Sequence, residues 1–168
     1  NFTEALQKAI RMVGEYGDGF MPDIENKNEW KSQNLDLGNK LKAHNKRISD
    51  IFNILYFRLI KVEEISSLSG IDKWFIYQIK KIVDCFHLLE YQNELNSDLI
   101  LKCTKNGFSD KQIANISNIT ETEIRRFRYH NNIVPFVKQI DTVAGEFPCY
   151  TNYLYLTYNA LELSLIHI

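Results

Sequence analysis

The sequence predicts an all-α fold made of duplicated three-helix units, followed by an extended C-terminal segment. Between residues 47 and 130, apolar residues recur at spacings of three and four, which is typical of helices buried along one face. The same apolar pattern occurs twice in this region, 48 residues apart, as for Ile65 and Ile113 or Ile76 and Ile124. With 45% hydrophobic residues in 168, the chain can bury a core of domain size.

The first element is a predicted helix over residues 2–13. Thr3 can cap its N-terminus, because a hydroxyl there can accept a hydrogen bond from a free backbone N–H. Four apolar residues share one face of this helix at spacings of three and four: Leu6, Ala9, Ile10 and Val13.

Residues 14–45 are predicted to be a surface linker that is mobile in part. Gly14, Gly17 and Gly19 end the preceding helix. The rest of this stretch has few aliphatic side chains, many Asn and Lys, and no sustained period. Such a composition gives little apolar surface to bury.

Residues 46–135 hold the two predicted units. Each unit has a long helix, a short helix, a tight turn and a third helix. Asp72 and Thr120 stand where the N-cap of the third helix is required. In the second unit, Thr120 and Glu123 also have the spacing of a capping box. Two triplets that share one core are the economical arrangement.

Extended chain is predicted from Phe136 to Tyr158, because Pro135 cannot continue a helix. Residues 153–157 alternate leucine with tyrosine or threonine, and this period of two is typical of a strand. A strand needs a partner, and the sequence offers no obvious one. The partner is therefore expected outside this chain.

Composition and motifs predict a chain without a catalytic or ligand-binding site of its own. Its net charge is −1, so no overall field favours nucleic acid, and no 18-residue apolar run predicts a membrane span. Cys85, Cys103 and Cys149 form no C-x-x-C pair, which favours free buried thiols. The four histidines lack metal-ligand spacing and no phosphate-binding glycine motif occurs, so no catalytic, cofactor or metal site is predicted.

One alternative function is an autonomous helix-turn-helix domain that binds nucleic acid. Residues 109–129 could form two helices joined by a short turn. Clustered cations on or just after the second helix could contact phosphates: Arg125, Arg126, Arg128 and His130. The rest of the chain supplies no basic face, so this reading is the less favoured one.

The helix predicted over residues 47–60 has an unusual surplus of apolar residues. Ile54, Tyr56 and Phe57 align, at the 48-residue offset, with polar residues of the second unit: Lys102, Thr104 and Lys105. Such a helix is either buried more deeply or carries a contact face. Ile54, Tyr56 and Phe57 are therefore candidate oligomer-interface residues.

Three sequence motifs resemble those of one protein family. The longest runs from Lys138 to Asn159 and is dense in Asp, Glu, Thr and Tyr. A second, I-D-K-W-F, ends at Phe75, and a third, G-F-S-D-K-Q-I-A, begins at Gly107. In their order and spacing they resemble the connecting, or oligomerisation, domain of the large chain of carbamoyl phosphate synthetase, in its eukaryotic type. The resemblance covers roughly residues 2–159.

The motif residues are expected to be structural. Asp72 is the expected N-cap, and Trp74 and Phe75 are expected to fill the core. Motif residues of the C-terminal block either satisfy backbone groups at turns or, as the resemblance implies, hold the boundary between the connecting domain and two synthetase halves. They are Asp141, Thr142, Ala144, Glu146, Thr151, Tyr153, Thr157 and Tyr158.

The resemblance also implies a division of the chain. Residues 1–13 would be the end helix of a preceding ATP-grasp half, 14–45 a linker, and 46–135 the duplicated connecting domain. Residues 136–159 would lead to the second ATP-grasp half. The tail, residues 160–168, departs from the family pattern and is either native or introduced by cloning.

The resemblance implies a ligase as the parent enzyme. It would make carbamoyl phosphate from bicarbonate, glutamine-derived ammonia and two ATP, with Mg²⁺ or Mn²⁺ and K⁺, while this fragment itself would be non-catalytic. The expected partners are the flanking ATP-grasp halves, a glutaminase domain or subunit and a second copy of the chain, with no nucleic acid or membrane. The expected location is cytoplasmic, with mitochondrial as the alternative; pyrimidine and arginine or urea pathways both stay open.

Overall fold

The computed structural model describes residues 1–13, 17–92, 94–140, 146–148 and 153–160. These residues are mostly helical and include one small two-stranded sheet. The helices are α1 (Phe2–Met12), α2 (Lys27–Trp30), α3 (Leu37–Leu41), α4 (Arg47–Tyr56), α5 (Val62–Ser69), α6 (Lys73–Tyr91), α7 (Ser97–Lys105), α8 (Asp110–Ser117) and α9 (Glu121–His130). The strands are β1 (Phe136–Ile140) and β2 (Tyr153–Thr157).

Helix α1 forms as predicted but turns a different face inwards. Its N-cap is Asn1, whose side chain accepts a hydrogen bond from the backbone N–H of Glu4 at 2.9 Å, so the prediction of Thr3 as cap is wrong. The buried residues are Thr3, Glu4, Gln7 and Ile10, whereas the predicted face includes the exposed Ala9 and Val13. Polar side chains are buried here because each meets a specific partner.

The segment predicted to be a surface linker is part of the core. Phe20, Trp30 and Leu41 are all buried, and the Phe20 ring stacks on Phe52 of α4 with centroids 4.8 Å apart. The indole N–H of Trp30 donates to Asp23 at 3.0 Å. The linker prediction is wrong because three large side chains, set about ten residues apart, anchor an otherwise polar stretch without creating a period.

The main body consists of a first helical triplet, α4–α6, and a second helical triplet, α7–α9. The 19-residue helix α6 packs against α1, α4, α5, α7 and α8, and so forms the centre of the body. Both short middle helices end in a left-handed residue, Gly70 at φ +69° and Asn118 at φ +54°. The predicted caps Asp72 and Thr120 are confirmed, and Thr120 forms a capping box with Glu123.

Equivalent residues of the two triplets are buried alike at most positions. Ile65 and Ile113 have no exposed surface, nor have Ile76 and Ile124. Ile71 and Ile119 are both half-buried. The pair Leu68 and Ile116 differs, because Leu68 is 55% exposed whereas Ile116 is half-buried.

The offset between the triplets is 49 rather than 48 residues at the end of their first helices. There the C-caps are Phe57 and Asn106, and the left-handed residues are Arg58 and Gly107. One extra residue follows α4 and restores the offset of 48. The prediction that compared Ile54 with Lys102 is therefore out of register by one residue. The structural counterpart of Ile54 is Cys103, and both are fully buried.

Strand β2 finds its partner within the chain. It pairs with β1 in an antiparallel register that sets Phe136 against Thr157 and Ile140 against Tyr153. The expectation of a partner outside the chain is wrong, because Phe136–Ile140 supplies it. The hairpin is exposed along most of β2, and Thr157 is the one residue of that strand that is buried.

Candidate interaction surfaces

A buried carboxylate joins the first helix to the last strand. Glu4 of α1 is 4% exposed, and its Oε2 accepts hydrogen bonds from the Thr157 hydroxyl at 2.6 Å and from the Asn159 amide at 2.7 Å. Its other oxygen pairs with Lys8 Nζ at 2.9 Å. Lys8 also donates to the backbone carbonyl of Leu156. We call Glu4, Lys8, Thr157 and Asn159 the seam, since they hold the hairpin on the helical body.

The seam keeps Glu4 ionised. Burial alone would raise the pKa of this carboxyl group, but hydrogen bonds from Thr157, Lys8 and Asn159 and the charge of Lys8 lower the pKa below its usual value. The ionised form is the one that accepts all these bonds. Ionisation of Glu4 is thus coupled to docking of β2.

The seam continues to a corner where the two ends of the described body meet. Asn1 Nδ2 donates to Asn159 Oδ1 at 3.1 Å, and both side chains donate to the backbone carbonyl of Lys105 at the end of α7. One free carbonyl group at the end of α7 is therefore satisfied by side chains from both ends of the described body.

Two basic residues of α9, Arg125 and Arg128, pair with carboxylates of the same protein. Arg128 is buried and forms a two-point ion pair with Asp110 of α8, at 2.5 and 2.7 Å. Its guanidinium also lies 5.5 Å from the ring centre of Tyr158. Arg125 pairs with Glu121 and Asp110. Arg128 is therefore buried and neutralised, and no feature of the residues that the structure describes supports the nucleic-acid alternative.

Three aromatic rings form a cluster at the start of α6. Phe2 of α1 lies edge-to-face with Trp74 at 5.2 Å and with Phe75 at 5.5 Å, and the latter two are 5.0 Å apart. Trp74 is 51% exposed and Phe75 44%. The prediction that they fill the core is wrong, because the first turn of α6, where both residues lie, is at the surface.

The candidate interface residues on α4 are covered within the chain to different extents. Ile54 has no exposed surface and so cannot touch a second copy in this conformation. Phe57 stacks on Trp30 with centroids 6.0 Å apart, and Tyr56 stacks on His87 at 4.9 Å. Tyr56 and Phe57 remain half-buried, and their role in self-association stays a prediction.

The remaining motif residues divide into those the structure describes and those it does not. Glu146 and Tyr153 are exposed, Tyr158 is half-buried and Thr157 belongs to the seam. Asp141, Thr142, Ala144 and Thr151 lie outside the described residues. Thus one motif residue of this block, Thr157, takes part in a buried polar contact in the described region.

Free thiols are confirmed for Cys85 and Cys103, which are both buried; Cys149 lies outside the described residues. A hydrogen bond between the two thiols lowers the pKa of Cys85 and raises that of Cys103. In the part of the chain that the structure describes, His, Cys, Asp and Glu form no group of three or more that could hold a metal ion. Every helix in that part is too short or too polar to cross a lipid bilayer.

Several polar residues that matter to the fold escape sequence reasoning. Glu4 does not lie on the predicted apolar face of α1, and its partners Thr157 and Asn159 are more than 150 positions away. Gln7 accepts from the backbone N–H of Phe20, while Gln112 donates to the carbonyl of the same residue. No spacing rule links such distant polar groups.

Comparison with known proteins identifies the helical body. The family model described as "Carbamoyl-phosphate synthetase large chain, oligomerisation domain" matches residues 1–132, which include α1 to α9. This match begins with α1, so α1 and the segment before α4 belong to the same family unit as the two triplets.

Three relatives illustrate the similarity. The chain is 41% identical over 164 residues to the mitochondrial "Carbamoyl-phosphate synthase [ammonia]" of Mus musculus, covering 96% of this chain and 11% of the relative. It is 40% identical over 164 residues to the "Carbamoyl phosphate synthase arginine-specific large chain" of Cutaneotrichosporon cutaneum, with 95% and 13% covered. It is 40% identical over 166 residues to the "Multifunctional protein pyr-3" of Neurospora crassa, with 96% and 9% covered.

The chain spans only about a tenth of the length of these relatives. Both the identity and the family match extend over nearly all of the helical body. The chain therefore belongs to the oligomerisation-domain family of the carbamoyl-phosphate synthetase large chain.

Proposed function

We propose that this chain is a non-catalytic connecting and oligomerisation domain within a carbamoyl-phosphate synthetase. The observation that carries the proposal is the family match over residues 1–132, which spans all nine described helices. The structure supports a scaffold, since several of its buried polar groups join one element of the fold to another. Glu4 binds the last strand, and Asp110 binds the buried Arg128.

The parent enzyme, on this proposal, makes carbamoyl phosphate from bicarbonate, ammonia and two ATP. The ATP, Mg²⁺ or Mn²⁺ and K⁺ would be bound by ATP-grasp halves on either side of this domain. Those halves and a glutaminase domain or subunit would be its partners. Residues 136–159 would lead from the helical body towards the second half, and the hairpin is the described part of that path.

We also propose that the two helical triplets arose by duplication. The support lies in matching special positions rather than in overall composition. Left-handed residues end α5 and α8, side-chain caps begin α6 and α9, and the isoleucine pairs 65/113 and 76/124 are fully buried. A chance agreement of apolar spacing would not also place the caps and the left-handed turns alike.

Self-association is the testable part of the proposed function. Tyr56 and Phe57 keep part of their rings exposed at the end of α4, where the second triplet has Lys105 and Asn106. We expect the chain to form oligomers in sedimentation velocity experiments. Phe57→Lys should raise the dissociation constant about 30-fold, since an aromatic anchor of this kind contributes about 2 kcal/mol.

The matched control is Tyr129→Lys, which changes an exposed aromatic residue on α9 in the same way. This control should leave association unchanged. Circular dichroism must show that both variants keep the helical fold. A chain that sediments as a monomer at high concentration, or a Tyr129→Lys effect equal to that of Phe57→Lys, contradicts the proposed surface.

A further inference from the structure

The aromatic cluster of Phe2, Trp74 and Phe75 has more exposed surface than the fold requires. Each ring touches the other two, with centroid separations between 5.0 and 5.5 Å. About half of the Trp74 and Phe75 surface nevertheless faces solvent. Aromatic residues at protein surfaces are enriched where one chain segment anchors on another, because they bury a large area with few rotatable bonds.

The second helical triplet shows that the start of this helix can form without aromatic residues. The counterparts of Trp74 and Phe75, at the offset of 48 that holds in this region, are Thr122 and Glu123. Both are exposed, and Glu123 completes the capping box that begins α9. The same helix start is thus built with polar residues in one triplet and with an exposed aromatic pair in the other.

The position of Phe2 indicates what covers the cluster. Phe2 follows Asn1, so any polypeptide that precedes residue 1 in a longer chain reaches the body beside these rings. Relatives such as the mouse enzyme are about nine times as long as the matched stretch, so a protein of that length that contains this domain extends well beyond it. A portion tethered at Asn1 has an effective concentration near the cluster of about a millimolar or more, which a free partner rarely reaches.

We propose that Phe2, Trp74 and Phe75 form the docking surface for the portion of the longer chain that directly precedes Asn1. This inference rests on the proposed function, in which that portion is an ATP-grasp half. The surface it meets is apolar, so the matching surface on the preceding portion carries aliphatic or aromatic side chains with few charges.

Site-specific photocrosslinking in the longer chain tests the proposal. p-Benzoylphenylalanine replaces Trp74, and mass spectrometry maps the peptides that it captures on illumination. We expect capture of peptides that precede Asn1 in the same molecule. The control position is Tyr91, which is 76% exposed at the opposite end of α6 and should capture no such peptide. Mixing ¹⁵N-labelled with unlabelled protein separates capture within a chain from capture between chains.

Three results would overturn the proposal: capture between two copies, capture of peptides that follow Asn159, or no capture at position 74. The sequence of the captured segment reports separately on the proposed function. A preceding segment unrelated to ATP-grasp proteins keeps the docking surface and rejects the assignment of the parent enzyme.

The double variant Trp74→Thr with Phe75→Glu adds a second measurement. It installs the residues that the second triplet already has at these positions, so the 168-residue chain should unfold within about 4 °C of its original midpoint. In the longer chain, the same change should increase the rate of proteolysis just before Asn1 at least tenfold. An unchanged rate of proteolysis there contradicts the docking surface.

Discussion

At the scale of single residues, a few polar groups and one glycine determine how α1 and β2 are held on the helical body. The carboxylate of Glu4 is buried yet fully engaged, because it accepts bonds from Thr157, Asn159 and Lys8. A buried charge without such partners would cost several kcal/mol. We therefore expect single substitutions in the seam to change the free energy of unfolding measurably, although the seam lies near the ends of the described body.

The first prediction concerns the pH dependence of the seam. The pKa of Glu4 is lower in the folded state than in the unfolded chain. Its stabilising effect is therefore fully present above the unfolded value of about 4.3 and is lost as the pH falls through the folded pKa. We expect Glu4→Gln to lower the free energy of unfolding at about pH 7, and we expect this loss to become smaller as the pH falls below about 4.

Urea unfolding across this pH range measures the difference between the two proteins. The control is Glu25→Gln, which changes an exposed carboxylate that lies away from the seam. A destabilisation by Glu4→Gln that is the same at every pH would show that ionisation of Glu4 does not hold the strand.

The second prediction concerns the glycine at the end of α7. Gly107 has φ +88°, and a Cβ atom there would lie 2.8 Å from the Cα of Glu4. Gly107→Ala should therefore cost more than the 1–2 kcal/mol, roughly, of a left-handed alanine, because α1 must also move away. Gly70→Ala is the matched control, since Gly70 is left-handed with nothing within 4 Å of its Cβ position. Equal costs in urea unfolding would mean that α1 does not pack closely on α7.

At the scale of elements, the two helical triplets have the same kinds of helix caps at matching positions, but they differ in how far some equivalent side chains are buried. The interior isoleucines are shielded in both triplets, whereas Leu68 is exposed and its counterpart Ile116 is half-buried. The helix α6 serves both triplets at once, because it contacts α4, α5, α7 and α8. The duplicated pattern therefore produces one shared core.

The third prediction uses this difference in burial. Ile65→Ala should lower the free energy of unfolding by about 2–5 kcal/mol, because a fully buried isoleucine leaves a cavity when truncated. Leu68→Ala, three positions later on the same helix, should cost less than about 1 kcal/mol because most of that side chain is already in solvent. Similar costs for the two variants in urea unfolding would contradict the assigned core face of α5.

Sequence reasoning predicts the elements far better than the contacts between them. The caps at Asp72 and Thr120 and the isoleucines of the core follow from local patterns that the structure confirms. The burial of Trp30 and the pairing of β1 with β2 could not be predicted, because isolated anchors and a short irregular strand create no period. The exposed Trp74 was missed for the opposite reason, since composition alone assigns an aromatic residue to the core.

At the scale of the whole molecule, the body is organised around one corner. Asn1 and Asn159 touch there, α7 ends there, and β2 is fixed to α1 by the seam next to it. The ends of a folded domain are often close together, and here side-chain hydrogen bonds link them directly.

The fourth prediction is that the chain tolerates circular permutation. A Gly/Ser linker of about six residues should join the end at Ala160 to Asn1, since such a linker spans about 12–15 Å. New ends can be opened directly after Gln92, which is exposed and lies between the two triplets. We expect the permuted chain to unfold within about 5 °C of the original by circular dichroism. A permuted chain without helical signal would show that the corner is not the meeting point of the two ends.

The meeting of Asn1 with Asn159 has a consequence for any longer polypeptide that contains this domain. Although 157 residues separate the two asparagines in sequence, their side chains are in direct contact, so the chain enters and leaves the domain at nearly the same place. The domain therefore adds mass to such a polypeptide but adds little distance between the segment that precedes it and the segment that follows it. Excising it and closing the gap with a few residues should leave whatever precedes and follows it at nearly the same separation.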